Sequence, residues 1–131
     1  MQALVNNKIT VLGGNQTRPN IHIQDITDLY LHLLNNKNIT GVFNAGFENI
    51  SIIDIANKIK IKLPNTEIEV KVSNDPRSYR LDSSKIIRTG FSPKFSVDNA
   101  IEEIIAAFHK NSLKDKEKFY NLKWMKKKEI I

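Results

Sequence analysis

The sequence predicts an α/β fold, with a small sheet of short strands and flanking helices. Short β-branched segments alternate with longer segments whose apolar residues recur every three or four positions, as in amphipathic helices. The chain has 131 residues, of which 40% are apolar and 26% charged, which suits one domain with a modest core. Because only about three strands and four helices are indicated, the predicted sheet is small and incomplete.

The first predicted strand and helix lie near the N-terminus. Lys8–Leu12 is β-branched and stops at Gly13, which predicts a strand that runs into a turn. A helix is predicted from Ile23, with Asp25 in its first turn, where a carboxylate can accept hydrogen bonds from free backbone N–H groups. The apolar positions of this helix are Ile23, Ile26, Leu29, Tyr30, Leu33 and Leu34.

Residues 41–45, GVFNA, form a second predicted strand that is closed by Gly46. Ser51 then stands at the position of a helix N-cap, with Asp54 three residues later as an approximate capping box. The helix that follows is predicted to end before Pro64. Its buried face is predicted to contain Ile52, Ile55, Ala56, Ile59 and Leu63.

The third predicted strand, residues 67–72, alternates strictly between charged and apolar positions, so one of its faces is expected to be wet. Its apolar residues are Ile68, Val70 and Val72. A loop, a short helical stretch around residues 82–88 and a turn at residues 90–93 follow. The last body helix is predicted from helical spacing at Val97, Ala100, Ile101, Ile104, Ile105 and Phe108.

Residues 112–131 differ from the rest of the chain in charge. They hold seven lysines and three carboxylates, and so carry +4 of the net charge of +6. Phe119, Leu122 and Met125 share one helical face, so we predict a basic helical tail that is ordered only when it docks. The remaining residues, 1–111, form the predicted substrate-binding body. Aromatic residues among the lysines would suit nucleic acid, but without a recognised motif a solvated charge run is the simpler interpretation.

Several catalytic and metal-binding patterns are absent from the sequence. There is no glycine fingerprint for a dinucleotide, no phosphate-binding P-loop, no metalloprotease histidine pair and no nucleophile elbow. The chain has no cysteine, which excludes disulfides and thiolate metal sites. We therefore predict no metal and no catalytic residue. Without an apolar run of about 18 residues or a signal-peptide pattern, we expect a cytoplasmic chain with no membrane partner.

Two arginine-bearing loops remain as candidates for ligand binding. Residues 13–19 form a Gly-rich turn that contains Arg18, and residues 75–80 contain Arg77 and Arg80. A guanidinium binds phosphate through two parallel hydrogen bonds, and loops at strand ends are where such donors converge. Two such loops could hold a diphosphate. The alternative is that these are ordinary surface or ion-paired arginines, and residue types alone leave both interpretations open.

Three blocks of the sequence carry a resemblance to a known family. Residues 8–26 contain a strand, a Gly-rich turn, an Arg-Pro pair and a hydrophobic-His-hydrophobic-x-Asp block. Residues 41–55 contain a Val-Phe-Asn-x-Gly segment before a Ser-capped helix, and residues 75–93 contain an arginine loop, an Asp-x-Ser-Lys turn and Gly-Phe-x-Pro. In this order they resemble the C-terminal part of the extended short-chain dehydrogenases/reductases that act on nucleotide sugars, over about residues 4–110.

The resemblance implies the nucleotide-sugar-binding portion of an NAD(P)-dependent epimerase or dehydratase. In that family NAD or NADP sits on an N-terminal Rossmann domain, and a Tyr-x-x-x-Lys pair performs the proton chemistry. The residues four positions after the three tyrosines are Leu34, Ser83 and Trp124, none of which is lysine. The chain therefore resembles a truncated product or one half of a split enzyme, with no catalysis and no cofactor expected for it alone.

By resemblance, Arg18 and Arg77 match the arginines that hold the substrate diphosphate, with Arg80 competing for the second role. His22 and Asp25 match the first family block, where His22 is a secondary candidate for substrate contact and Asp25 mainly starts the helix. The implied partners are a nucleotide sugar and a Rossmann half, in cis or in trans. Self-association is also expected, because a cut interdomain face leaves apolar surface exposed. The alternative functions are a non-catalytic nucleotide-binding or regulatory module and, less favoured, a basic nucleic-acid-binding protein.

Overall fold

A computed structural model describes residues 1–75 and 77–129 of the chain. The fold is α/β, as predicted. Its elements, in chain order, are α1 Gln2–Asn6, β1 Lys8–Leu12, β2 Thr17–Asn20, α2 Ile23–Asn35, β3 Glu48–Ser51, α3 Ile52–Lys62, β4 Glu67–Lys71, α4 Ser84–Ile87, α5 Val97–His109, a 3-10 turn Glu117–Phe119 and α6 Asn121–Lys127.

The strands form two separate two-stranded sheets. β1 pairs in parallel with β4, in a register that sets Lys8 beside Glu67. β2 pairs antiparallel with β3, so that Arg18 lies beside Ile50. Gly13 and Gly14 join β1 to β2 with φ angles of 79° and 115°, a conformation that glycine adopts without the strain other residues would incur. The predicted turn at the end of β1 is therefore confirmed.

The prediction of a strand at residues 41–45 is wrong. These residues pair with no strand, and the next strand is β3. Their burial nevertheless alternates as in a strand with one covered face: Phe43 and Ala45 pack against the core, while Val42 and Asn44 are exposed. A β-branched, apolar segment becomes a strand only beside a partner edge, and this chain provides none within the part that the structure describes.

The predicted helices are confirmed, and so is the predicted N-cap of α3, Ser51. The Ser51 hydroxyl accepts a hydrogen bond from the Asp54 N–H at the start of α3, which stops at Lys62, ahead of Pro64. α5 begins with a full capping box between Ser96 and Asn99. Pairs of oppositely charged residues join α3 to α5, namely Lys58 with Asp98 and Lys62 with Glu102.

A cluster of buried apolar residues lies where α2 meets α4, and further buried apolar residues on α1, β1, α3 and α5 lie outside it. Leu29, Ile86 and Phe91 are buried together. The partly buried residues that pack against them are Ile26, Leu33, Phe43, Ala45 and Phe47. Only one side of α2 packs against this cluster, so apolar residues on its other side are exposed to solvent.

The predicted single apolar face of α2 is only partly correct. Ile26, Leu29 and Leu33 face the core, whereas Ile23, Tyr30 and Leu34 are exposed to solvent. Ile23, Tyr30 and Leu34 fall on one stripe, because positions seven and eleven residues apart return to the same side of a helix. We call these three residues the α2 stripe. No helix within residues 1–75 and 77–129 has the length and apolar content needed to cross a bilayer.

Candidate functional site

The two arginine-bearing segments meet at the outer edge of β2. Two hydrogen bonds tie the loop that follows β4 to this strand, one to a side-chain hydroxyl and one between backbone groups. Thr17 N–H donates to the Ser78 hydroxyl over 3.0 Å, and Tyr79 N–H donates to the Thr17 carbonyl over 3.3 Å. Because Arg18 is the next residue of β2, this attachment brings Arg77 beside it from a position 59 residues away in the sequence.

A single carboxylate lies between the two arginines. Arg77 donates to Asp75 from Nε and from Nη2 over 2.7 and 2.8 Å, which is the two-pronged geometry of a guanidinium with a carboxylate. Arg18 approaches the same carboxylate with Nη2 at 3.4 Å, and its Nη1 donates to the Arg77 carbonyl. The Arg18 guanidinium also lies over the Tyr79 ring, 5.2 Å from its centroid. We call Arg18, Asp75, Arg77 and Tyr79 the arginine cluster.

The electrostatics of the arginine cluster follow from this geometry. Hydrogen bonds from the Arg77 side chain and backbone hold the pKa of Asp75 well below its usual range, and the charge of Arg18 adds to the effect. The Asp75 carboxylate in turn raises the pKa of Arg77. With one carboxylate between two guanidiniums the cluster keeps a net positive charge, and such a site attracts anions.

The two arginines differ in how firmly they are held. The Arg18 side chain is 21% exposed and has several partners, including its own neighbour's carbonyl, Thr17 O, at 3.1 Å. The Arg77 side chain is 75% exposed and is held by Asp75. Arg18 is therefore a fixed donor, whereas Arg77 is bonded to a residue of its own loop and can turn with little loss of packing.

Arg80 and His22 do not join the arginine cluster. Arg80 is exposed and has no hydrogen bond or ion pair to any other described residue. His22 is buried and caps α2, where its Nδ1 accepts a hydrogen bond from Gln24 N–H at 3.1 Å. Its Nε2 lies 3.2 Å from Glu103, and its ring stacks on Phe95. Both ring nitrogens of His22 are thus already engaged within the fold.

Asp25 has a different role from the one that its place in the sequence suggests. It was expected to bond free N–H groups at the start of its own helix. Instead its two oxygens accept hydrogen bonds from the N–H groups of Lys94 and Phe95, at 2.8 and 3.0 Å, just ahead of α5. Asp25 is 1% exposed and therefore joins α2 to the segment that leads into α5. We call His22, Asp25, Phe95 and Glu103 the α2–α5 clasp.

Sequence reasoning missed Asp75 and Tyr79 as members of the site. A local signal for Asp75 was present, because an aspartate two residues before Arg77 can accept that residue's N–H in an Asx turn. The structure shows this bond at 3.1 Å. No sequence signal indicated Tyr79, which reaches Arg18 only because the loop after β4 lies along β2.

The fold is shared with part of several larger proteins of known structure, although the sequence matches no family model. L-threonine dehydrogenase from Phytophthora infestans is 18% identical, with a TM-score of 0.72 over 84% of this chain and 39% of that one. UDP-N-acetylglucosamine 4-epimerase from Bacillus cereus is 24% identical, with a TM-score of 0.65 over 74% of this chain and 36% of that one.

A third similar structure is ADP-L-glycero-D-manno-heptose-6-epimerase from Helicobacter pylori. It is 17% identical, with a TM-score of 0.71 over 82% of this chain and 35% of that one. The chain thus spans between 35% and 39% of the length of these three proteins. At these identities the likeness shows a common fold, and the site has to be argued from its own geometry.

Proposed function

We propose that this chain is the nucleotide-sugar-binding portion of an NAD(P)-dependent epimerase or dehydratase, in which the arginine cluster holds the substrate's diphosphate. The observation that carries the proposal is the convergence of Arg18 and Arg77 on one anionic group, the Asp75 carboxylate, from two separate connections. A guanidinium binds phosphate through two parallel hydrogen bonds, so two guanidiniums around one anion suit a diphosphate. Two of the similar structures are named as epimerases of sugar nucleotides, which supports this ligand class.

The described residues do not fit a nicotinamide dinucleotide. Such a cofactor needs a Gly-rich turn that leads from a strand into a helix, whose N-terminus then faces the pyrophosphate. The turn at Gly13 and Gly14 leads from β1 into another strand, β2. This chain would therefore bind and orient the nucleotide sugar, while the hydride chemistry would be supplied by NAD or NADP on a partner half. We expect no turnover by this chain with added NAD alone.

Two surface features support a partner half, in cis or in trans. The first is the α2 stripe, an apolar helix face that no described residue covers. The second is the segment 42–45, whose four backbone N–H groups make no hydrogen bond within the described chain and whose Val42 is 84% exposed. Unpaired backbone N–H groups on an extended segment fit the edge of another sheet, because pairing with a strand there would satisfy the alternate N–H groups that face it. A sheet flanked by helices, as in a Rossmann domain, would engage both features.

The diphosphate role is tested by titrating uridine diphosphate and adenosine diphosphate into the full chain, followed by NMR. Replacing Arg18 or Arg77 by alanine should weaken binding about tenfold or more, because each loses a charge-assisted pair of hydrogen bonds. Lysine at either position should restore only part of the affinity, since it lacks the two-pronged geometry. Arg80→Ala is the matched control and should leave affinity within about twofold.

Two results would overturn the diphosphate role. One is the absence of any response in the two loops at ligand concentrations up to roughly 10 mM, where even weak sites are detected. The other is an affinity that falls no further in the Arg18 and Arg77 variants than in Arg80→Ala.

The partner surface is tested by sedimentation of the isolated chain. Its uncovered apolar surface should cause concentration-dependent self-association, and Leu34→Lys on the α2 stripe should reduce it. Leu122→Lys is the matched control, because Leu122 is also exposed but lies in the C-terminal tail, on α6. A monomeric wild-type chain at high concentration, or a larger effect of Leu122→Lys than of Leu34→Lys, would contradict this assignment.

A further inference from the structure

The Asp75 carboxylate already occupies the position that an anionic ligand would need. Its Oδ1 accepts hydrogen bonds from Arg77 Nε and from Arg77 N–H, at 2.7 and 3.1 Å. Its Oδ2 accepts from Arg77 Nη2 at 2.8 Å and from Arg18 Nη2 at 3.4 Å. The two donors of Arg77 that form a pair with a carboxylate are the same two that would form a pair with a phosphate.

We propose that Asp75 is an internal competitor for the anion position, so that a diphosphate binds by displacing its carboxylate from Arg77. This inference rests on the proposed function, because it concerns the ligand class of the same site. Asp75 then acts as a selectivity residue. An anion binds only if it interacts more strongly with the two arginines than the Asp75 carboxylate does.

Displacing Asp75 from Arg77 should cost little free energy, and Arg18 need not move at all. The bond between Arg77 and Asp75 is within one loop, and the Arg77 side chain is 75% exposed, so the pair contributes little to stability. Arg77 can therefore exchange Asp75 for a ligand without disturbing the core. Arg18 keeps its contacts to the Thr17 and Arg77 carbonyls and to the Tyr79 ring, so it stays in place as the fixed half of the site.

The expected consequence is discrimination by ligand charge. A singly charged anion interacts with Arg77 no more strongly than the Asp75 carboxylate does, so replacing Asp75 gives it little binding free energy. Pyrophosphate and nucleoside diphosphates offer oxygens on two phosphates and a larger negative charge, which can engage both guanidiniums together. Removing the competing carboxylate should therefore help every anion and should help the weakly charged ones most.

The test uses inorganic pyrophosphate and, as a singly charged anion, acetate, titrated into the full chain while the arginine Nε–H signals are followed by NMR. Asp75→Asn keeps an oxygen that can accept the Arg77 N–H and so preserves the turn, but it removes the charge. We expect it to bind pyrophosphate about threefold to tenfold more tightly than wild type, with a larger gain for acetate. Asp75→Ser, which also keeps an accepting oxygen, guards against a folding defect of the first variant.

Asp82→Asn is the matched control, because Asp82 is an exposed carboxylate that bonds Ser84 N–H and no arginine. It removes the same charge and should change pyrophosphate affinity by less than about twofold. Binding that is equal in wild type and both Asp75 variants, or that tightens equally in Asp82→Asn, overturns the competitor role and leaves the proposed function intact. If no variant responds to pyrophosphate, the proposed function itself fails. Pyrophosphate binding to the wild-type chain that tightens in both Asp75 variants, and not in Asp82→Asn, supports the competitor role.

Discussion

Asp25 and Asp75 each accept hydrogen bonds from two other residues, yet the two carboxylates differ in burial and in the kind of donor. In the α2–α5 clasp, Asp25 is almost fully buried and accepts only backbone N–H groups, those of Lys94 and Phe95. In the arginine cluster, Asp75 lies nearer the surface and, besides the Arg77 N–H of its own turn, accepts two guanidinium groups, one of them largely exposed. A buried acceptor of backbone donors cannot be exchanged without disturbing the fold, whereas an acceptor near the surface can release its side-chain donors. The comparison separates a residue that maintains the structure from one that is available to a ligand.

The largest expected effect is therefore at Asp25. Asp25→Ala removes a buried carboxylate and its hydrogen bonds from the N–H groups of Lys94 and Phe95, so it should lower the free energy of unfolding by about 3 kcal/mol, measured in urea. Asp25→Asn keeps one accepting oxygen and should cost less. Asp75→Ala should leave the urea midpoint nearly unchanged. If the two alanine variants unfold at the same urea concentration, the distinction between the clasp and the arginine cluster is lost.

A smaller effect is expected at His22, which acts in the clasp through its N-cap hydrogen bond and its stacking on Phe95. Alanine at this position should cost about 1 to 2 kcal/mol in urea unfolding, since both contributions are lost. Asparagine is a good N-cap and should recover about half of that loss. A variant His22→Asn no better than His22→Ala would show that capping is not what His22 contributes.

Thr66 contrasts with Asp25. It is also buried, but its hydroxyl has no hydrogen-bond partner among the described residues. Thr66→Val keeps the shape and removes the unsatisfied hydroxyl, so stability should stay the same or rise by up to about 1 kcal/mol. Thr66→Ser keeps the hydroxyl and loses a methyl group, so it should cost about 1 kcal/mol. Destabilisation by valine in thermal unfolding would mean that this hydroxyl has a partner after all.

The smallest effect on stability is expected from the ionisation of Asp75. Its pKa is lower in the folded chain than in the unfolded one, mainly because of Arg77. The ionised form therefore favours folding above the unfolded pKa of about 4, and this contribution disappears as the pH falls through the lower folded value. In a carboxyl-carbon NMR titration, Asp75 should titrate below the ordinary range for aspartate. In Arg77→Ala its midpoint should rise toward that range, because the side-chain hydrogen bonds are lost while the backbone N–H and Arg18 remain; an unchanged midpoint would rule out the Arg77 side chain as the cause.

The parts of the fold that could be predicted are those with local signals. Helical periodicity and caps such as Ser51 located α2, α3 and α5, and a β-branched run before glycine located β1. The polar strand β2 was missed, because Thr17–Asn20 has no apolar alternation and becomes a strand only through its pairing with β3. Residues 41–45 have the composition of a strand but no partner edge within the described chain, so here a strand was predicted where none forms.

The candidate site was predictable to a similar extent. Arg18 and Arg77 could be predicted as phosphate-binding candidates from residue type and loop position, because two guanidiniums near strand ends suit a phosphate ligand. That they share one carboxylate depends on the loop after β4 lying along β2, a contact between segments far apart in the chain. The bond between Asp75 and the Arg77 N–H has a local signal, but no local pattern encodes the approach of Arg18 to Asp75, which only the structure shows.

The parallel pairing of β1 with β4 also has a consequence for the order in which the chain acquires structure. Thr10 and Glu69 are 59 residues apart, and the β2–β3 pair is nested between them. Closing the inner pair first shortens the loop that the outer pair has to close, which lowers its entropic cost. During synthesis on the ribosome, β1 emerges before β2, β3 and β4 and has no partner until β4 follows. Of the four described strands, the one made first is thus among the last to be paired, and it stays open to wrong partners until then.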